Sequence, residues 1–385
     1  MRRGIRAGAM HFKVPRREER RNDSQSLHVL LCPDQPSWAF DNIANNIARY
    51  AGRNKISKMY MRDVIGNENL FFEAILLKRI DLCHIFWRED FFYLLHPSTI
   101  HKAARHLGFE YEMMVRAINS CAFTTSVYDH LFSSSAEIQE RRSGFALVDG
   151  YTVCSDKLRS IYASEPDLAI PDRVIPDGVD VSRFFPSRGG RSAGDGDFAL
   201  GWVGNSAWGK RSQGMDVKGY HRLFEPMVKE LSVRGYAIAP KVADPQVNRI
   251  RFEDMPDFYR QMDVFVCTSA MEGTPNPVLE AMACGIPVVS TDVGIVPEAF
   301  GERQKRFIIS EPAVERFADA VAELLEDQPL RQAIAEENRN RALDWSWEIK
   351  TEGWWPFWQA IVKRTMEPRN ATRREIYLLS CATNL

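Results

Sequence analysis

Apolar runs and polar breaks alternate along the chain at short, regular intervals. Ser26-Leu-His-Val-Leu-Leu-Cys-Pro33 reads as a short buried strand. Ile43, Ile47 and Tyr50 follow at i, i+4 and i+7, which predicts a helix. Arg79 to Phe86, Ser120 to Ser126 and Tyr151 to Cys154 read as further strands, the last followed by a helix through Leu158 and Tyr162. The second half repeats the pattern. Phe198 to Gly204, Val264 to Thr268 and Pro287 to Ser290 predict strands, and His221 to Val233 an amphipathic helix. Glu315 to Asp327 and Leu330 to Ala342 predict helices, the latter with Pro329 at a plausible start. Strands alternating with helices imply parallel sheets wrapped in βαβ units. Between the halves, Pro186 to Gly196 is rich in glycine and reads as a loop opening the second domain. There is no internal repeat.

The segment from Ala270 to Glu298 carries the most chemistry. Pro275 and Pro277 prevent one regular helix from holding both Glu272 and Glu280. Glu272 is therefore expected on a loop, with Glu280 about one turn inside the following helix. Helical side chains lean toward the N-terminus, so both carboxylates are expected to converge beside the positive end of that helix. Such an end binds phosphate oxygens, and carboxylates accept hydrogen bonds from paired hydroxyls. Phosphates and hydroxyls together describe a sugar nucleotide.

Bulk properties narrow the field. The 385 residues suggest two domains. With 50 basic against 51 acidic residues, net charge is near zero, so nothing argues for nucleic acid. No apolar run reaches the roughly 20 residues of a spanning helix. Residues Met1 to Asp23 lack the apolar core of a secretory signal. Their arginines (2, 3, 6, 16, 17, 20 and 21) read either as a disordered tail or as a loose contact with anionic lipid. The seven cysteines are an odd number, and none is paired at metal spacing. A reducing, cytoplasmic setting is expected.

The run with glutamates at 272 and 280 resembles the nucleotide-sugar signature of family-four retaining glycosyltransferases. The match continues through Ala281, Met282, Ala283, Gly285, Pro287, Val288, Val289, Asp292, Gly294 and Glu298. Ile175 to Pro186 resembles another phrase of that family, with Asp177 where asparagine is commoner; Asp177-Gly178 is equally a plain turn signal. The resemblance implies the α/β fold called GT-B: two Rossmann-like, doubly wound domains facing across a cleft, with C-terminal helices crossing back. The expected divisions are a basic tail at 1–25, an acceptor-side domain at 26–150, and a nucleotide-sugar domain at 151–345. A closing helix at 346–365 and a tail at 366–385 complete them.

What the resemblance implies for the site is specific. Glu280 holds the ribose, and Glu272 contacts the donor sugar. Gly273, Thr274 and Asn276 offer groups to the sugar or phosphate. Lys218 matches a lysine expected at the diphosphate. Asn205, after Gly204, occupies the usual arginine position, so Lys210 or Arg211 is a candidate for the missing charge. Val242 is a candidate wall for the base. On the acceptor side His84 and Asp129 are candidates, with Tyr128 at a usual histidine position. Trp38 and Trp87 read either as stacking platforms for a sugar or as core.

The implied activity is transfer of a sugar from a nucleoside-diphosphate sugar to a hydroxyl on a saccharide or lipid-linked acceptor, with retention and without a metal. Cell-envelope polysaccharide or glycolipid synthesis is the expected setting. A catalytically silent binding subunit and a sugar-nucleotide epimerase of the same fold are the alternatives.

Overall fold

The computed structural model describes residues 26–187, 197–207, 216–366 and 372–382. Two all-parallel sheets organise them. The first contains β1 (His28–Cys32), β2 (Lys55–Lys58), β3 (Leu82–Trp87), β4 (Ala122–Val127), β5 (Gly150–Val153) and β6 (Arg173–Val174). Their order is β2-β1-β3-β4-β5-β6. The second contains β7 (Phe198–Val203), β8 (Ile238–Ala243), β9 (Val264–Cys267), β10 (Val288–Thr291) and β11 (Ile308–Ile309). Its order is β11-β10-β9-β7-β8. In each sheet the strand order reverses beside the first strand, so the crevice at the carboxyl ends is where ligands bind in such folds.

The central strands are buried along nearly their whole length because helices cover both faces. On one face of the first sheet, Phe71, Phe72, Met114 and Phe123 share a core. On the other, Val29, Leu31, Leu82 and Phe86 pack with Ile43 and with Trp354, Phe357, Trp358 and Ile361 of the helix Trp354–Met366. That helix arrives from the second domain, so the chain's end closes back on its beginning.

Two of the expected divisions move. Gly150–Val153 hydrogen-bonds in parallel to β4, and Val153 pairs with Val174, so β5 and β6 belong to the first sheet. The crossing therefore follows Val174 and not residue 151. Past residue 366, the expected tail contains the helix Arg373–Ser380, which docks on the first domain. Its Arg374 is buried and pairs with Asp149, while Nε donates to Asn119 Oδ1 at 2.8 Å.

The two crossings between domains are joined to each other. Val179 N donates to Trp345 O at 2.9 Å, and Trp347 N donates to Val179 O at 3.2 Å. At Gly178 an added Cβ would lie 2.7 Å from the Trp347 backbone, so only glycine allows this approach.

Candidate active site

Lys218 is positioned by a turn that its neighbour makes possible. Gly219 has φ +70°, and a Cβ there would sit 2.2 Å from Thr268 O. Thr268 Oγ1 donates to Lys218 O at 2.7 Å and accepts from Trp202 Nε1 at 3.0 Å. Asp216 accepts from the amides of Tyr220 and Arg222, at 3.2 and 2.8 Å. A π-helical turn, Tyr220–Phe224, then leads into the helix Glu225–Val233. The lysine thus stands on the ends of β7 and β9, held by buried groups.

Glu272 meets it from the loop after β9. Lys218 Nζ lies 2.5 Å from Glu272 Oε1, and Ser269 Oγ donates to the same oxygen at 2.7 Å. Thr291 Oγ1 holds Ser269 O at 2.6 Å, tying the loop to β10. The helix Asn276–Ala283 begins where the two prolines require it, with Pro275 just before and Pro277 in its first turn.

A hollow of about 220 Å³ opens at this point. Lys218, Glu272, Thr274 and Asn276 line it, with Gly204 from the end of β7 and Ala39 from the first domain. It therefore lies between the domains. A cation, a carboxylate and two short polar side chains converge there beside a helix N-terminus.

Gly273 does not line the hollow; it is the point where the domains touch. An added Cβ would lie 1.8 Å from Tyr128 O and 2.4 Å from Cys154 Sγ, both of the first domain. Gly294, with φ +47°, supports it from below, and Ile295 N donates to Gly273 O at 3.0 Å. Two further members of the matching phrase also face the first domain. Glu298 Oε1 accepts from Asp156 N at 3.1 Å, and Lys157 Nζ donates to Asp292 O at 3.0 Å.

Glu280 is not among the residues that line the hollow. It lies one turn along the helix, where Tyr259 OH donates to its Oε2 at 2.8 Å. Burial pushes its carboxyl up to about 7, with Tyr259 and then Arg183 pulling the other way. Nothing in the sequence assigned Tyr259 a role at the site. Its hydroxyl is the partner that sequence reading missed, as are Thr268, Ser269 and Trp202 behind the lysine.

The remaining candidates separate. Asn205 Oδ1 accepts from Ala207 N at 3.0 Å and from Gln246 Nε2 at 3.3 Å, turning back on its own loop. Val242 packs against the second domain's core. Lys210 and Arg211 lie outside the described residues.

His84 is not at the cleft. It is fully buried in β3, with Nδ1 3.0 Å from Thr124 Oγ1 and its ring edge-on to Phe86 and Trp354. Burial holds its pKa down at about 3, so it is a neutral core residue at ordinary pH. The closing helix, through Trp354 and Trp358, covers this acceptor-side candidate. Asp129 is committed to the buried Arg88, whose Nη2 lies 3.3 Å from Oδ1, and to Leu131 N at 2.9 Å. Burial raises its pKa against the pull of Arg88. Trp38 is 62% exposed at the start of the helix Ala39–Arg49, whereas Trp87 is half-buried beneath Arg88. Among the described residues, no group of three or more His, Cys, Asp or Glu is placed to hold a metal ion, and no helix is long and apolar enough to cross a membrane.

Comparison with known proteins bears on this arrangement. Residues 246–341 match the family described as Glycosyl transferases group 1, and the match contains Glu272, Glu280 and the turn between them. The lipopolysaccharide core biosynthesis mannosyltransferase LpsB of Rhizobium meliloti is 30% identical over 199 residues, covering 44% of this chain and 55% of that protein. A D-inositol 3-phosphate glycosyltransferase of Actinosynnema mirum is 25% identical over 261 residues, covering 60% and 59%. The chain spans about half the length of these curated relatives. Among solved structures, sucrose-phosphate synthase from Thermosynechococcus elongatus superposes with a TM-score of 0.62 at 14% identity, covering 88% of this chain and 100% of that one. HepE of Anabaena, in complex with UDP and glucose, gives 0.58 at 13% identity, covering 86% and 99%. The architecture is GT-B, as the resemblance implied.

Proposed function

We propose that this chain is a retaining glycosyltransferase that moves a sugar from a nucleoside-diphosphate sugar to a hydroxyl acceptor. The observation that carries the reading is the Lys218–Glu272 pair in an interdomain hollow beside the N-terminus of helix Asn276–Ala283. The hollow is smaller than a typical whole-ligand site of roughly 300–1,000 Å³, which suits the sugar and diphosphate end of the donor.

As the glycosidic bond breaks, negative charge builds on the leaving diphosphate. A cation about 4 Å away in a partly dry cleft contributes up to about 4 kcal/mol to its stabilisation. Our reading gives that role to Lys218. Glu272 favours the positive charge that develops at the anomeric carbon, and Ser269 keeps it aimed. Thr274 and Asn276 bind the sugar or phosphate. Glu280, steadied by Tyr259, accepts from the ribose hydroxyls. The acceptor enters from the first domain, on the side of Ala39 and the exposed Trp38. Envelope polysaccharide or glycolipid synthesis, on the cytoplasmic side where nucleotide sugars occur, is the setting we infer; the names of LpsB and its like support it.

The test is a thermal-shift panel of UDP-, GDP- and ADP-sugars, followed by product analysis with the sugars that respond. A ligand at a hundred times its Kd stabilises by about 2.7 kcal/mol, or roughly 5–10 °C in domains of this size. The UDP-glucose bound to HepE makes it the first probe. A flat response across the panel refutes the reading. Binding without turnover, unaltered by Glu272→Gln, identifies a silent binding subunit.

A further inference from the structure

We propose that Asp177 is a positioning residue of the donor turn, through which the interdomain crossing holds Thr274 and Asn276 in place. The proposal rests on reading the hollow as a nucleotide-sugar site. Residues 175–179 form the first crossing between the domains. Val179 is bound to the returning crossing at Trp345 and Trp347, and Gly178 lies flat against the Trp347 backbone. Asp177 therefore has little freedom to withdraw. From this fixed point its backbone N–H donates to Thr274 Oγ1 at 3.2 Å. Asn276 Nδ2 in turn donates to Asp177 Oδ2 at 3.5 Å. Both partners line the hollow, while Asp177 stands behind them and is 6% exposed.

The setting of that carboxyl is unusual. Tyr128, from the loop after β4, and Cys154, after β5, face it from the first domain; burial first and then its charge push both of their pKa values up. Among the described residues no lysine, arginine or histidine forms an ion pair with it. The Tyr128 hydroxyl and Asn276 Oδ1 are buried without a hydrogen-bond partner among the described residues. Burial lifts the Asp177 carboxyl to about 7, with Asn276 pulling it down. The same spot is thus a joint between domains, a support for two ligand-facing side chains and a group that changes charge near neutrality.

A direction of pH dependence follows. Seating an anionic diphosphate against Thr274 and Asn276 favours the neutral form of Asp177. Binding then takes up a proton and weakens as pH rises through about 7. The carboxyl of Glu280, on the helix that begins at Asn276, is likewise raised to about 7. The share of Asp177 is the part of the pH dependence that Asp177→Asn removes.

The experiment is equilibrium binding of UDP-glucose and GDP-mannose to the full chain, at about pH 6 and about pH 8, for the native protein, Asp177→Ala and Asp177→Asn. The alanine variant is expected to bind about tenfold or more weakly, since small misplacements of binding groups are costly. Asparagine keeps an acceptor for Asn276, so that variant is expected within about threefold of native at pH 6, with less loss at pH 8. An alanine variant that folds and binds like the native protein overturns the proposal and leaves the nucleotide-sugar reading standing. So does an asparagine variant with the native pH dependence. If the alanine variant does not fold, the asparagine profile decides alone. A native protein that binds no UDP-, GDP- or ADP-sugar overturns both the reading and the proposal.

Discussion

Lys218 Nζ stands 2.5 Å from Glu272 Oε1, and the two side chains come from opposite ends of a 54-residue separation to face one hollow. In the absence of ligand each serves as the other's counter-ion. On the proposed reading a diphosphate sugar gives both new partners, and the pair then serves the reaction more than stability. Lys218→Ala is expected to lower kcat by about 10²–10³, the usual cost of removing a charge that meets a developing anion. Its effect on stability should stay near 1 kcal/mol, because the pair is partly solvated. Steady-state kinetics beside a melting curve checks both numbers. A variant with full turnover would remove Lys218 from the mechanism.

Gly273→Ala tests the domain contact. The added methyl would overlap Tyr128 O, which is backbone and cannot step aside. Overpacking of this kind costs about 1–3 kcal/mol where the surroundings must shift. Here relief is available by parting the domains. The expected result is a larger radius of gyration in small-angle scattering and a loss of donor binding, with each domain still folded. An unchanged scattering profile with normal binding would refute the contact.

The overall architecture was legible because β1, β3, β4, β7, β9 and β10 are buried on both faces and so read as short runs rich in apolar and β-branched residues. The strands left unread lie mostly at sheet edges. Lys55-Ile-Ser-Lys58 has two exposed lysines and no apolar alternation to reveal it. Lys218 was legible through resemblance alone, whereas the two prolines already placed Glu272 on the loop before the helix. The groups that hold them were not, because Trp202, Thr268 and Ser269 come together only when the ends of β7 and β9 meet. His84 failed for a similar reason: nothing local in Asp81-Leu-Cys-His84 says that Trp354, some 270 residues later, will cover it.

His84 offers a clean contrast with the site. A buried histidine whose folded pKa is depressed to about 3 opposes protonation of the folded state. The unfolded chain then binds more protons between about pH 3 and 6.5, so stability rises with pH across that window and is lost as pH falls. His84→Phe should flatten this acid limb in urea titrations. Turnover of the folded protein should stay within about threefold of native, since the ring touches only core groups. A loss of a hundredfold would restore His84 to the chemistry.

Glu280 has the opposite sign. Its folded pKa is raised to about 7, from an ordinary carboxylate value, mainly by burial. The stability it confers is fully present below about pH 4.5 and is lost as pH rises through about 7. Glu280→Gln removes that loss. The variant should therefore gain on the native protein between pH 5 and pH 8, by at most about 3 kcal/mol. Its affinity for a nucleotide sugar should fall even so, because an amide is the poorer acceptor for two ribose hydroxyls. Melting temperature and binding moving in opposite directions is the signature. If both rise, Glu280 does not touch the ligand.

Arg374 anchors the helix Arg373–Ser380 to the first domain. Its guanidinium is buried and pairs with Asp149, with further bonds to Asn119 Oδ1 at 2.8 Å and Cys121 O at 3.1 Å. Asp149 Oδ2 also accepts from Phe123 N at 2.7 Å, near the start of β4. Removing the arginine leaves that carboxylate buried with its charge unmatched, and such breaks cost about 3–5 kcal/mol. Arg374→Met should therefore be strongly destabilising, while adding Asp149→Asn should recover much of the loss, since an uncharged pair needs no compensation. The double-mutant cycle, read by chemical denaturation, measures the coupling directly. Additive losses would mean that the last helix rests on the surface and does not lock the first domain.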